Sequence, residues 1–202
     1  KNTNQIYVMC TAFNGTEWTQ PVRLGSEAVL DGTPQLLAAD DGTIWLAYSK
    51  TAPGADITAL VDYAQHQSIV VGRLDPDTLT LTDAREYTSD DFANRPMLTM
   101  AGGVPTLVWL DSVVTDADSV LTPKTNTVCY ASLTADGWSD PAALAEIEHP
   151  VADLAAGEDG VACNVDTDDD FNTSEDRSLI SYSWSGSASE LATGVTGALS
   201  WI

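Results

Sequence analysis

The chain repeats itself, and that self-similarity restricts what it can fold into more than any other feature. Pro34, Leu36, Gly42 and Trp45 set a pattern that Pro96, Leu98, Gly103 and Trp109 repeat. Pro150, Leu154 and Gly160 form a weaker third copy without the tryptophan. A second element alternates with the first: Gly15, Trp18 and Pro21 in one place, Gly137, Trp138 and Pro141 in another. Its two tryptophans lie about two periods of roughly 60 residues apart, a spacing typical of repeat architectures.

Within the first complete unit the residues predict four strands, at 34–39, 43–49, 68–75 and 79–87. They are rich in Val, Ile, Leu, Thr, Tyr and Trp and are bounded by turn residues. Asp41-Gly42, Asn14-Gly15 and Asp136-Gly137 are hairpin signals, because both residue types tolerate positive φ. No sustained helical period occurs; residues 59–67 have room for one or two helical turns inside an insertion.

Four-stranded antiparallel units at this period point to an all-β fold, a β-propeller segment of about three blades with partial blades at both ends. A small twisted sheet cannot cover both its faces alone, and stacked neighbours cover them. The expected division is the end of a partial blade at 6–30, blades at 31–90, 91–146 and 147–195, and the start of another at 196–202. Trp18, Trp45, Trp109 and Trp138 are then expected at blade contacts, since an indole buries about 150–250 Å². A β-sandwich is the alternative; it accounts for the strands but not for the repeats. An open arc of blades leaves edges exposed. The rest of a larger propeller, or another copy of the chain, is expected to cover them.

The 202 residues include 30 acidic and 8 basic ones, for a formal charge of -22. Phosphate backbones need a basic patch, so nucleic acid is a poor partner. No run of about 18 apolar residues is present, so no membrane-spanning helix is expected. The chain opens without Met and without a secretory leader, as expected of a processed product or of a piece of something longer. Cys10, Cys129 and Cys163 lie in strand-like runs, are odd in number and form no C-x-x-C pair; buried, unreactive thiols are expected and zinc is not.

The segments Asn14-Gly15-Thr16-Glu17-Trp18-Thr19-Gln20-Pro21 and Ala135-Asp136-Gly137-Trp138-Ser139-Asp140-Pro141 resemble degenerate repeats of sialidase-type, BNR-like propellers. That resemblance implies a propeller in a secreted or surface protein of bacterial type, hence an extracellular or cell-surface location. The full S-x-D-x-G-x-x-W box is absent. The family's enzymes hold their substrate with three arginines, whereas Arg23, Arg73, Arg85, Arg95 and Arg177 fall at no recurrent position. No catalytic residue carries over.

Three insertions, at 49–67, 111–125 and 166–177, fall between the second and third strands of their units. Loops on a rigid scaffold often bind, so this face is the expected site for a glycan or a protein. The third insertion places oxygen-bearing side chains at calcium-loop spacing: Asn164, Asp166, Asp168, Asp170, Asn172 and Glu175. Calcium is the one cofactor these residues suggest, although Asp169 replaces the turn glycine of such loops. Of the two histidines, His149 adjoins the repeat proline and His66 lies in an insertion; neither belongs to a catalytic motif. A glycan-acting enzyme would need two carboxylates at a set separation, and Asp111, just past Trp109, is the first candidate. The leading expectation is a non-catalytic binding module; part of a secreted glycan-acting enzyme and a purely structural domain are the alternatives.

Overall fold

A computed structural model of the chain describes residues 6–25, 30–168 and 177–195. These residues form four antiparallel sheets in chain order. A short ribbon pairs β1 (Met9–Cys10) with β2 (Val22–Arg23). Sheet A is a meander of β3 (Asp31–Ala38), β4 (Ile44–Thr51), β5 (Gln67–Asp75) and β6 (Thr80–Thr88). Sheet B orders β7 (Phe92–Ala101), β8 (Val104–Ser112) and β9 (Asn126–Thr134). Its outer position is shared by β10 (Gly137–Trp138) and β11 (Ala142–Ile147), which both pair with β9. Sheet C is a second meander, of β12 (Val151–Gly157), β13 (Gly160–Asp166), β14 (Arg177–Ser183) and β15 (Ala188–Thr193). The described residues thus form more sheets than the two of a sandwich. The proposed continuation at 196–202 lies outside the described residues.

Turn chemistry sets the hairpins. Gly102 and Gly103 join β7 to β8 with φ of 55° and 81°. Two successive left-handed residues make the tight turn whose twist suits a two-residue hairpin. At Asp41-Gly42 the Asp41 carboxylate accepts from the Thr43 amide at 2.8 Å, and Gly42 takes φ 82°.

Each middle strand is apolar along its length because both its faces are covered. On β4, Trp45 and Ala47 pack toward sheet B, while Leu46 and Tyr48 pack toward the β1–β2 ribbon. On β8, Leu107 and Trp109 face sheet A, whereas Val108 and Leu110 face sheet C with Val161, Cys163 and Val165 of β13. Successive side chains of a strand point to opposite faces, so a single strand serves two cores.

The contact between sheets A and B shows what the second copy of the Trp-x-x-Pro element, Trp138 to Pro141, does. Trp138 stands edge-on to Trp45, with ring centroids 5.2 Å apart, and Tyr87 of β6 packs on Trp109 at 5.0 Å. The Tyr87 hydroxyl donates to the Ser139 carbonyl at 2.8 Å. Arg85 donates to the Trp138 carbonyl and pairs with Asp140 at 2.5 Å. The outer strand of sheet A is thereby fastened to the connection between β10 and β11 of sheet B. Trp18 departs from the expectation. It is 65% exposed and touches Phe13 at 5.4 Å, because the described residues around the β1–β2 ribbon include no outer strand like β6 to cover it.

All three cysteines are free. Burial pushes the Cys163 thiol up to about 12, and burial with the nearby Asp111 charge does the same to Cys129. Neither is a thiolate near neutral pH, so neither has the reactivity of a nucleophilic cysteine.

Candidate functional site

The insertions after β4 and β8 emerge at the same end of their sheets, as their common place in the repeat predicts. The first carries helix α1 (Leu60–Gln65) and the second carries α2 (Ala117–Leu121). The first helix occupies the stretch where the sequence allows a helical turn. The second is stopped at its N-terminus by a capping box: Asp116 accepts from the Ser119 amide at 2.8 Å and the Ser119 hydroxyl accepts from the Asp116 amide at 3.0 Å. Such reciprocal bonds satisfy two amides that a short helix would otherwise leave open.

A buried hydroxyl–amide pair closes the base of each of these insertions. Thr51 ends β4 opposite Gln67, which begins β5, and the Gln67 amide donates to the Thr51 hydroxyl. Ser112 ends β8 opposite Asn126, which begins β9, and the Ser112 hydroxyl donates to the Asn126 carbonyl oxygen at 2.6 Å. The Asn126 NH₂ group then donates to the carbonyls of Pro123, at 3.0 Å, and His149, at 2.9 Å. One amide thus ties the α2 insertion to the connection entering sheet C. Asn94 extends the network, donating to Ser112 at 3.0 Å.

The first strand of each of sheets A, B and C carries a bulge at an equivalent place. Register shifts occur between Gly32 and Gln35, between Asn94 and Met97, and between Val151 and Asp153. Thr33 and Arg95, each just before a repeat proline, adopt left-handed φ of 45° and 53°. For residues other than glycine this conformation costs about 1–2 kcal/mol. Such strain gathers where a side chain is re-aimed, as bulges do next to binding sites. Thr33 donates to the Ser49 hydroxyl at 2.9 Å, and Arg95 donates to the Ala152 carbonyl at 2.7 Å and stands 3.8 Å from Asp153.

These elements enclose a cavity of about 290 Å³. Thr33 and Ser49 line it from sheet A, Asn94 and Arg95 from sheet B, and Tyr63 and Leu121 from the two insertions. Phe92 also lines it and lies 6.4 Å from Tyr63, ring centroid to ring centroid. Burial raises the Tyr63 hydroxyl above its ordinary value, so it is a neutral donor there. Two aromatic rings beside amide, hydroxyl and guanidinium groups can stack on one face of a polar ring and hydrogen-bond its edges. Sequence reasoning anticipated the insertions but not Thr33, Asn94, Arg95, Tyr63 or Phe92.

The remaining candidates are dispersed. Asn164 and Asp166 alternate on β13, both buried, and Asp168 follows the strand in an exposed position. Asp170, Asn172 and Glu175 lie outside the described residues. Burial, reinforced by Asp168, raises the Asp166 carboxyl; the Arg177 guanidinium, 3.8 Å away, pulls the other way. Among the described residues no three His, Cys, Asp or Glu side chains are grouped so as to hold a metal ion. Asp111 accepts from the Ser89 hydroxyl at 2.7 Å. Burial raises its carboxyl, Asp91 and Asp90 add to the effect, and Ser89 opposes it. His66 contacts the Asp62 carbonyl at 2.7 Å and is engaged within α1.

No family model matches the sequence, and no curated protein does. Among solved structures, a puromycin-hydrolyzing peptidase of Mycobacterium tuberculosis is similar in fold, with a TM-score of 0.53 at 11% identity. The match takes in 91% of this chain and 30% of that one, so the chain spans less than a third of that structure's length. At this identity the likeness concerns the fold alone.

Proposed function

We propose that sheets A, B and C are blades of a β-propeller segment and that the chain is a non-catalytic binding module of an extracellular or cell-surface protein. Its ligand is a glycan, held at the end that carries the insertions. The observation that carries this reading is the cavity where Tyr63 and Phe92 stand beside Thr33, Asn94 and Arg95. Sites for polar rings combine aromatic faces with a few well-placed polar groups. Two of those polar residues sit on strained bulges, which a merely structural strand would not need. Of the five arginines only Arg95 lines the cavity, which supports binding over the three-arginine chemistry of the sialidase-type enzymes that the repeats resemble.

A glycan array tests this directly. Wild-type protein should retain defined glycans, and Tyr63→Ala and Asn94→Ala should lose them while still unfolding cooperatively, at a somewhat lower melting temperature because each truncation also removes packing or a hydrogen bond. Retention of the same glycans by both variants, or no retention by the wild type, contradicts the reading. A second reading, a segment of a glycan-acting enzyme, draws on the raised carboxyl of Asp111, as a general acid requires. Turnover of fluorogenic glycosides that disappears in Asp111→Asn would favour it. Calcium at the loop of Asn164, Asp166, Asp168, Asp170, Asn172 and Glu175 is proposed as a structural addition, drawing on the buried carboxylate of Asp166.

A further inference from the structure

The β1–β2 ribbon covers only part of the outer face of sheet A, leaving a cleft of about 460 Å³ whose lining shares no residue with the insertion cavity. The cleft has an apolar floor, made by Leu24, Val70, Leu79 and Leu81. At one end stands Asp31, only 3% exposed, with neither carboxylate oxygen hydrogen-bonded in ordinary geometry. The Tyr48 hydroxyl lines the cleft too and lies close to Gly25, as does an Asp31 oxygen.

The charges around Asp31 are otherwise spoken for. Lys50, from β4, is paired with Glu86 of β6 at 2.8 Å, and Ser68 donates to the other Glu86 oxygen at 2.6 Å. Arg85 is engaged by Asp140. Arg23, from β2, is stacked on Tyr7 with its guanidinium carbon 3.4 Å from the ring centre, and its buried Nε has no hydrogen-bond acceptor. A buried anion and a half-buried cation therefore line the same cleft, each with a hydrogen-bonding atom that lacks a partner. A buried carboxylate short of well-formed hydrogen bonds is costly, and a ligand that supplies them recovers part of that cost. Burial raises the Asp31 carboxyl; the Val8 amide and the charges of Arg23 and Lys50 oppose the shift, and a cationic ligand would add to them.

We propose that this cleft binds a free α-amino acid with an apolar side chain. Its ammonium group sits on Asp31, its carboxylate meets Arg23, and its side chain lies on the leucine and valine floor. This site is separate from the one proposed for glycans, and neither depends on the other.

Isothermal titration calorimetry with L-leucine, L-leucine methyl ester and N-acetyl-L-leucine separates the contributions. The zwitterion should bind at least about tenfold more tightly than the ester or the acetylated acid, since a hydrogen bond to a charged group is worth about 1.5–3 kcal/mol. Asp31→Asn should abolish leucine binding yet melt at a higher temperature, because it removes a buried charge. That pairing separates loss of the site from loss of the fold. Arg23→Gln should weaken leucine but leave the ester unchanged. Absence of leucine binding at millimolar concentration, equal affinity of the three compounds, or undiminished binding by Asp31→Asn would each overturn the proposal.

Discussion

Replacing Asn126 with alanine is the sharpest probe of how the insertion end is held together. The side chain is 2% exposed and makes three hydrogen bonds, one accepted from Ser112 and two donated, to Pro123 and His149. Truncation strands one hydroxyl and two carbonyls at the junction of sheets B and C. A buried polar group left without a partner costs about 1–3 kcal/mol. The Ser112 hydroxyl still accepts from Asn94, and its proton can turn to a new acceptor, so its share falls at the low end. Allowing about 1 kcal/mol for each group gives a loss of about 3 kcal/mol. Urea denaturation followed by far-ultraviolet circular dichroism measures it, with an unchanged slope showing that the native state keeps its compactness. Asn126→Asp preserves volume but turns two donated bonds into oxygen–oxygen repulsions, so it should lose at least as much at neutral pH. Combining Asn126→Ala with Ser112→Ala should be less than additive, since the second change removes a group that the first has already stranded. A loss below about 1 kcal/mol for Asn126→Ala would refute the reasoning.

Trp109→Ala should cost about 4 kcal/mol, whereas Trp18→Ala should stay within about 0.5 kcal/mol, both read by thermal melting; equal effects would contradict the different burial of the two rings. The carboxyls of Asp31, Asp111 and Asp166 are all raised by burial. The folded state therefore holds more protons than the unfolded chain from pH near 3.8 up through those raised values, and stability falls as pH rises across that range. Melting temperature in EDTA should accordingly fall as pH rises from near 3.8 toward neutrality, and Asp166→Asn should lessen the fall; a variant with the full wild-type fall would remove Asp166 from the explanation. Millimolar calcium should raise the melting temperature over an EDTA-treated sample, and coincident melts would dismiss the proposed cation.

The sheets were legible because their middle strands are unbroken apolar runs between glycine turns, and the repeats of Pro34 and Pro96 put each first strand in its place. The insertions were legible from their common position. The groups that build the site were not, for physical reasons. Thr51 pairs with Gln67 and Ser112 with Asn126 across 16 and 14 residues, and those separations are set by loop length rather than by any period. The left-handed turn of Thr33 and Arg95 follows from a register shift that leaves no mark on residue type, since proline alone does not announce a bulge. Trp18 and Trp138 share the local Trp-x-x-Pro sequence yet differ in burial, and what differs is the neighbouring strand. Arg85 and Tyr87 cover one of them, and no described residue of that kind covers the other.

The account stands most directly on where a ligand lies. Amide chemical shifts of isotopically labelled protein, followed by NMR while the strongest glycan from the array is titrated in, would locate it. The expected changes cluster at Thr33, Ser49, Tyr63, Asn94 and Arg95, around the cavity under α1 and α2. Changes confined to β15, or to the β1–β2 ribbon, would place binding elsewhere and contradict the reading.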